Sequence, residues 1–405
     1  MKLAYLTNYF PSLTETFIYR EVLELKRRGY SINVYSLRKP NRSDISQEAV
    51  GLYDTTRYLL PVDVLYLFKC HLKFLLGSPQ LYVMTLWKML TGTHKNTKGR
   101  LRSLMHFGEG VVLADVMLRD GVSHIHSHYA SQSTSVARVI HLLTNLPYSF
   151  TGHAHDIWHD QLLLPEKLIE AKFVVTCSKF GRQWLLKQSN HDVSAKVHVV
   201  YHGLDTRKFT PPENEDRKNN LILSVGSLGE TKGYPDLIRA CAILRDKNFE
   251  FDCVIVGEGP MRSELEDLVA SCQLEDRVSL IGALSQEEII SRYQSAWVFA
   301  LPCVTVDDGR QDGLPNVLME AMASGLPIIT TKCTAQTELI ENDKDGILIT
   351  PHSPEELANA IKMLCEDAGM RNKIIVEARR RIEYCFDSRQ TVEPLLDLFA
   401  RFVFR

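Results

Sequence analysis

Lys2-Leu-Ala-Tyr-Leu-Thr7 opens the chain as a short apolar run, and Ile32-Asn-Val-Tyr-Ser-Leu37 is a second run of the same kind. Between them lie a polar loop, Asn8-Tyr-Phe-Pro-Ser-Leu-Thr14-Glu15-Thr16, and a stretch ending at Arg27-Arg28-Gly29. In that stretch Phe17, Val22, Leu23 and Leu25 share one side of a helix. Strand, loop, helix, glycine and strand within 37 residues make a βαβ unit, which requires a parallel sheet. The loop has no glycine for cradling phosphate. Ser12 or Thr14 is placed to cap the helix, a role compatible with any further one for Glu15 or Thr16.

The same alternation continues. Strands are expected at 124–128, 148–151, 173–177, 197–201, 221–225, 252–256, 278–284 and 296–302, and helices at 354–365, 370–384 and 388–402. A chain of 405 residues exceeds one core, so two α/β domains follow. The expected boundaries are 1–205, a Pro-rich then charged linker at 206–219, 220–385, and a closing helix at 386–405. Hydrophobic residues are 45% and charged residues 24%, ordinary for a globular chain, and the net charge is −2. Residues 1–205 hold 24 basic and 16 acidic side chains, a net of +8, leaving −10 for the remainder. A basic half beside an acidic half suits different partners for each. Nine cysteines without a Cys-x-x-Cys pair argue against a zinc ribbon or a disulfide scaffold, and fit a reducing cytoplasm. The first apolar run is too short for a signal peptide, and no run reaches the ~18 residues of a membrane span.

Residues 64–108 contain no Asp or Glu and seven basic side chains: Lys69, Lys73, Lys88, Lys95, Lys98, Arg100 and Arg102. Aliphatic and aromatic residues, among them Phe68, Leu76 and Trp87, lie between them. Such helices suit peripheral contact with an anionic inner membrane, or packing on the first domain with the lysines turned outward. No nucleic-acid-binding fold accompanies the charge, so nucleic acid is not an expected partner.

His124, His126 and His128 alternate, and on a strand they share a face. The spacing is wrong for a helical zinc motif and no carboxylate adjoins it, so no metal site is expected. Thr151-Gly-His153-Ala-His155-Asp156 is a polar loop at a strand end. A general-base His153 with Asp156 as partner, or a solvated capping loop, are both open readings. Leu221-Ile-Leu-Ser-Val225-Gly226-Ser227-Leu-Gly229-Glu230-Thr-Lys232-Gly233 is a strand, a glycine turn and a helix start, with Lys232 as a point charge for a diphosphate. Gly257-Glu-Gly259-Pro lacks the dinucleotide fingerprint, and Asp343-Lys-Asp345 reads as a turn before a strand. Asp312-Gly313-Leu314-Pro315-Asn316-Val-Leu-Met-Glu320 puts one carboxylate in a loop over a helix start and another, eight positions on, inside the helix that Gly325 ends. A helix start suits an anion, and carboxylates accept hydrogen bonds from sugar or ribose hydroxyls.

Taken in order, these stretches resemble the large family-4 retaining glycosyltransferases of the GT-B fold. The two-acid motif, the loop of Glu15, the loop of His153, the Lys232 turn and Gly-Glu-Gly-Pro all match that family's order and spacing. Asp307-Asp308-Gly-Arg310-Gln-Asp312 is similar to its exopolysaccharide and colanic-acid branch. The family's acids are usually both glutamate, whereas the first here is Asp312. The resemblance implies two Rossmann-like domains facing across a cleft, with the last helix crossing back to the first domain. It implies a retaining transfer from a nucleotide-diphosphate sugar, UDP- or GDP-type, to a saccharide or lipid-linked acceptor. The reaction would take place at the cytoplasmic face of the membrane, with no metal or other cofactor. His153, Asp312, Glu320 and Lys232 are implied as catalytic. Gly226, Ser227, Lys232, Arg310, Gly313, Leu314, Asn316 and Glu320 are implied as donor-binding, and Thr14, Glu15, His128 and Asp156 as acceptor-binding. Ser227 stands where the family usually has Arg, and Arg310 is the candidate compensating cation. A non-catalytic sugar-nucleotide or polysaccharide binder is the alternative, and a GT-B epimerase or phosphorylase a third reading.

Overall fold

The structure is a computed structural model that describes residues 2–403, apart from 13–14, 43–44, 46, 95, 159, 213–216, 218–219, 308 and 334. Two compact units emerge: Met1–Tyr201 with Val392–Arg405, and His202–Thr391.

The first unit is built on seven parallel strands. In chain order they are β1 Leu3–Tyr9, β2 Ile32–Arg38, β3 Arg57–Tyr58, β4 His124–His128, β5 Tyr148–Gly152, β6 Val174–Thr176 and β7 Val197–Val199. In space they run β3-β2-β1-β4-β5-β6-β7, so the order reverses between β1 and β4. Successive residues of a strand face opposite sides. Ala4 and Leu6 accordingly join one core, with Ile125, Phe150 and the helices Thr97–Arg119 and Gln132–Thr144. Leu3 and Tyr5 join the other, with Ile18, Tyr19 and Val22 of the helix Thr16–Arg27. That second core is closed by the last helix, Glu393–Phe402, through Leu395, Leu398 and Phe399. The Phe399 ring lies 5.3 Å from that of His126 and 5.6 Å from that of Phe173.

The second unit has six parallel strands: β8 Leu221–Val225, β9 Asp252–Val256, β10 Val278–Leu280, β11 Val298–Leu301, β12 Ile328–Thr331 and β13 Ile347–Ile349. Their spatial order is β10-β9-β8-β11-β12-β13, the doubly wound arrangement, with its reversal between β8 and β11. Residues expected to form a linker are packed onto this unit instead. Phe209 is fully buried, with its ring 6.4 Å from that of Tyr293. Arg217 donates to the carbonyls of Ala296 (2.9 Å) and Gly325 (2.7 Å), both at helix ends whose last carbonyls lack helical partners. Residues 213–216 and 218–219 of that stretch lie outside the described residues. An apolar ring and a five-donor guanidinium have strong reasons to dock, which Pro-rich composition did not reveal. The turn at 341–345 is likewise structural: Asp345 accepts from the Glu341 amide at 2.7 Å and faces Arg381.

Phe399→Ala empties a fully buried ring site and is expected to destabilise the first unit by about 3–5 kcal/mol. Urea denaturation followed by circular dichroism measures this; a loss below about 1 kcal/mol would mean the last helix is not part of that core.

Candidate functional site

Ligands of open α/β sheets collect outside the carboxyl ends of the strands, where the strand order reverses. Both units carry their polar clusters there.

In the first unit β1 and β4 diverge into separate loops. Tyr129, the first residue after β4, has φ +72°, a left-handed conformation unfavourable for a bulky side chain. It is held by its own N–H donating to the Thr151 carbonyl at 2.9 Å and by its carbonyl accepting from the Thr134 hydroxyl at 2.6 Å. Backbone strain of this kind persists only where neighbours over-determine it. Tyr129 thereby brings its ring to 4.7 Å from that of His153. Phe17 approaches the same imidazole at 4.7 Å, and His128 stacks on it at 5.6 Å and 15°. His128 Nδ1 and His153 Nε2 are 3.4 Å apart, and His128 Nε2 lies 3.2 Å from Glu21. His153 therefore sits in a ring of aromatic groups with a histidine–glutamate pair behind it.

His128, expected on the acceptor side, is buried between His153 and Glu21. Farther along β4, His124 and His126 share the Ser149 hydroxyl at 2.8 Å each, and His126 also reaches Thr151 at 3.0 Å. Burial pushes His124 down to about 3 and His126 well below its ordinary value, so both are neutral. Glu21, His126 and His128 bring ligand-type atoms within 4.8 Å of one another. Those atoms already serve the hydrogen bonds just described, the geometry of a polar core.

Asp156 is a second correction. It is buried, and its two oxygens accept the backbone N–H groups of His153, at 2.7 Å, and Ala130. With both oxygens turned inward it clamps the loop and does not face an acceptor. Lys167 completes the clamp. Fully buried, it donates to the carbonyls of Ala130 (2.5 Å), Leu162 (2.7 Å) and Ser131 (3.0 Å). Burial pushes Asp156 up to about 7 and Lys167 down to about 7, and the attraction between their charges works against both shifts. Lys167 has no sequence signal beyond a lone lysine in an amphipathic helix, so motif reading missed it. Glu15 is the N-cap residue of its helix but makes no side-chain cap bond. Burial raises its pKa, and Tyr129 and His128 oppose that rise. Its carboxylate thus lies beside Tyr129 and His128. Thr14 lies outside the described residues.

In the second unit Gly226 follows β8 directly, and the turn Glu230–Lys232 leads to the helix Tyr234–Asp246. Gly233 has φ +68°, and a Cβ there would stand 1.9 Å from the Pro302 carbonyl oxygen, so only glycine fits. That tight approach joins the turn to the end of β11. Lys232 Nζ consequently reaches Asp312 Oδ2 at 2.5 Å. Cys303, just past β11, offers its thiol to the same oxygen at 3.4 Å, and Thr231 lies 3.5 Å from the other. Burial raises the Cys303 pKa well above its ordinary value, which keeps it a neutral donor. Burial disfavours the Lys232 charge, but the Asp312 carboxylate outweighs it and the pKa rises, so Lys232 is an ammonium. Cys303 also escaped motif reading; its one signal is its place immediately beyond a buried strand.

Glu320 lies in the helix Asn316–Ala323, where its Oε2 accepts from the Tyr293 hydroxyl at 3.2 Å. Asn316 Oδ1 is buried, with no hydrogen-bond partner among the described residues. Leu314 is buried, Gly313 is partly exposed, and Ser227 is exposed on the turn. Arg310, the cation expected to compensate for Ser227, pairs with Glu230 at 2.5 Å on the surface.

Asp156→Ala would leave two buried N–H groups without an acceptor and is expected to cost about 2–5 kcal/mol. Asp156→Asn keeps one acceptor oxygen and should cost less. Chemical denaturation of the two variants checks the order; equal stabilities would remove the clamp role.

Residues 205–381 match the family described as glycosyl transferases group 1. The amylovoran biosynthesis glycosyltransferase AmsK of Erwinia amylovora is 26% identical over 99% of this chain and all of that protein. The putative colanic acid biosynthesis glycosyltransferase WcaL of Salmonella typhimurium is 25% identical over 98% of this chain and 99% of that one. Among solved structures, Anabaena HepE in complex with UDP superposes with a TM-score of 0.74 at 17% identity, covering 99% of this chain and all of that one. Both units thus have the Rossmann-like folds of the GT-B architecture, and residues 205–381 of the second are similar in sequence to the glycosyl transferases group 1.

Proposed function

We propose that the protein moves a sugar, with retention, from a nucleotide-diphosphate sugar to a saccharide or lipid-linked saccharide in exopolysaccharide-type synthesis. The single observation carrying this is the Lys232–Asp312 pair at the glycine turn. An ammonium there meets the charge that develops on a departing diphosphate. A carboxylate beside it accepts a hydrogen bond from a sugar hydroxyl. Incoming phosphate oxygens compete with Asp312 for Lys232 and release the carboxylate for the sugar. Glu320 is assigned to ribose hydroxyls and Asn316 Oδ1 to an additional donor hydrogen bond. In the first unit His153 is assigned to the transferred sugar and Glu15 to the acceptor.

In the reaction the bond from the anomeric carbon to the β-phosphate oxygen breaks. The acceptor oxygen bonds to that carbon on the same face, and its proton passes to the leaving phosphate. Positioning and charge stabilisation suffice for such a step, and no metal is assigned. UDP is the first nucleotide to test, since HepE binds it, with GDP next. The acceptor chemistry and the basic first half support work at the inner face of the plasma membrane, through contact by residues 64–108. A second reading, binding without transfer, draws on Ser227 and on Arg310 being held by Glu230.

Thermal unfolding against UDP, GDP and ADP tests the donor site. A nucleotide at 100 times its Kd should add about 2.7 kcal/mol. Lys232→Ala is expected to weaken that nucleotide roughly 10- to 100-fold, since a charge-assisted contact contributes about 1.5–3 kcal/mol. No stabilisation by any nucleotide would sink the assignment. Binding without turnover, with turnover restored by Ser227→Arg, would favour the second reading.

A further inference from the structure

Of the 19 large hydrophobic side chains exposed on the described residues, 12 fall between positions 64 and 105. They belong to three helices, Val64–Gly77, Pro79–Thr91 and Thr97–Arg119, that pack on one another within the first unit. The first buries only Cys70 and Phe74 and leaves Leu65, Phe68, Leu72 and Leu76 in solvent, Phe68 at 63% and Leu76 at 73%. Their spacing of three or four residues makes one stripe. The second helix keeps Val83, Met84 and Trp87 exposed, and the third Leu101, Leu104 and Met105. Soluble surfaces rarely concentrate so many exposed apolar side chains on adjoining helices without a partner.

The charges around these stripes identify the partner. Residues 64–108 have no carboxylate. Lys73 and Arg102 are matched by Asp115 and Asp160 outside the segment, whereas Lys69, Lys88, Lys98 and Arg100 have no carboxylate partner among the described residues. A second copy docked symmetrically on this face would set basic groups against basic groups. An anionic lipid surface satisfies both features, because apolar side chains enter the acyl boundary while lysine and arginine meet headgroups. No described helix is long and apolar enough to cross a membrane, so the geometry is one of lying on the bilayer.

We propose that these three helices are a bilayer-docking platform that inserts Phe68, Leu76, Trp87 and Leu101 and reads anionic headgroups with Lys69, Lys98 and Arg100. The inference names the surface behind the membrane contact proposed above, and it stands on the exposed stripes whether or not the transfer reading holds.

Flotation of the full chain tests it, with vesicles of phosphatidylcholine alone or with roughly one third phosphatidylglycerol. The expected result is flotation on the anionic vesicles, weakened several-fold as salt rises from about 0.05 to 0.5 M. Phe68→Glu with Trp87→Glu, and separately Lys69→Glu with Arg100→Glu, should each reduce partitioning about tenfold or more. All four positions are exposed or at helix surfaces, and unchanged melting temperatures verify folding. Failure to float on either vesicle would overturn the proposal. So would flotation that both double variants leave unchanged. A dimer in sedimentation velocity that Phe68→Glu with Trp87→Glu dissociates, without vesicle binding by the parent, would assign the face to a second copy. Nucleotide-induced stabilisation persisting in any of these cases would leave the donor site standing.

Discussion

Every strand pairing in both sheets is parallel. A parallel pair cannot be closed by a hairpin, so each strand must return through a crossover, and all carboxyl ends of a sheet point one way. The loops that leave those ends at the reversal of strand order have no common crossover and diverge. Polar groups gather in that gap in each unit: Glu15, Tyr129 and His153 beyond β1, β4 and β5, and Lys232, Cys303 and Asp312 beyond β8 and β11. The rest of each site follows from where the parallel ladder stops.

The two clusters handle buried charge differently. Asp156 and Lys167 are sealed in, and every oxygen of the one and proton of the other is turned to backbone. Buried ions are tolerable only with such pairing, and their removal leaves orphaned groups behind. They hold shape and are not free to exchange partners. Lys232 and Asp312 keep 13% and 20% of their side-chain surface in solvent. Their pairing is satisfied yet still open to solvent. The first unit thus seals its buried charges against backbone, and the second leaves its ion pair open to solvent.

Much of this was legible from residue order. The βαβ repeat, the two cores, the placement of Lys232 on a glycine turn and of Asp312 and Glu320 around a helix start all follow from local rules about glycine, proline and apolar period. The polar roles were less legible. Asp156 reads as a site acid, but its oxygens are taken by amides of its own loop and of a residue 26 positions away. Arg310 reads as a compensating cation for Ser227, and the fold sets it beside Glu230, 80 positions distant. Phe209 and Arg217 read as linker, yet they dock on helix ends brought near by the fold.

Local sequence alone determined the elements, the parallel class and the residue types at each strand end, because these depend on propensity and on side-chain period within a few residues. It also exposed the acid-free basic segment at 64–108. Tertiary structure decided that backbone clamps Asp156 and an ammonium meets Asp312, and that Lys167 and Cys303 stand beside them. It also decided that twelve large apolar side chains between 64 and 105 remain outside a core, while Cys70, Phe74, Met89 and Phe107 enter one. Each of those outcomes depends on how much water a side chain loses and which distant group replaces it, and that is known only once the chain has closed upon itself.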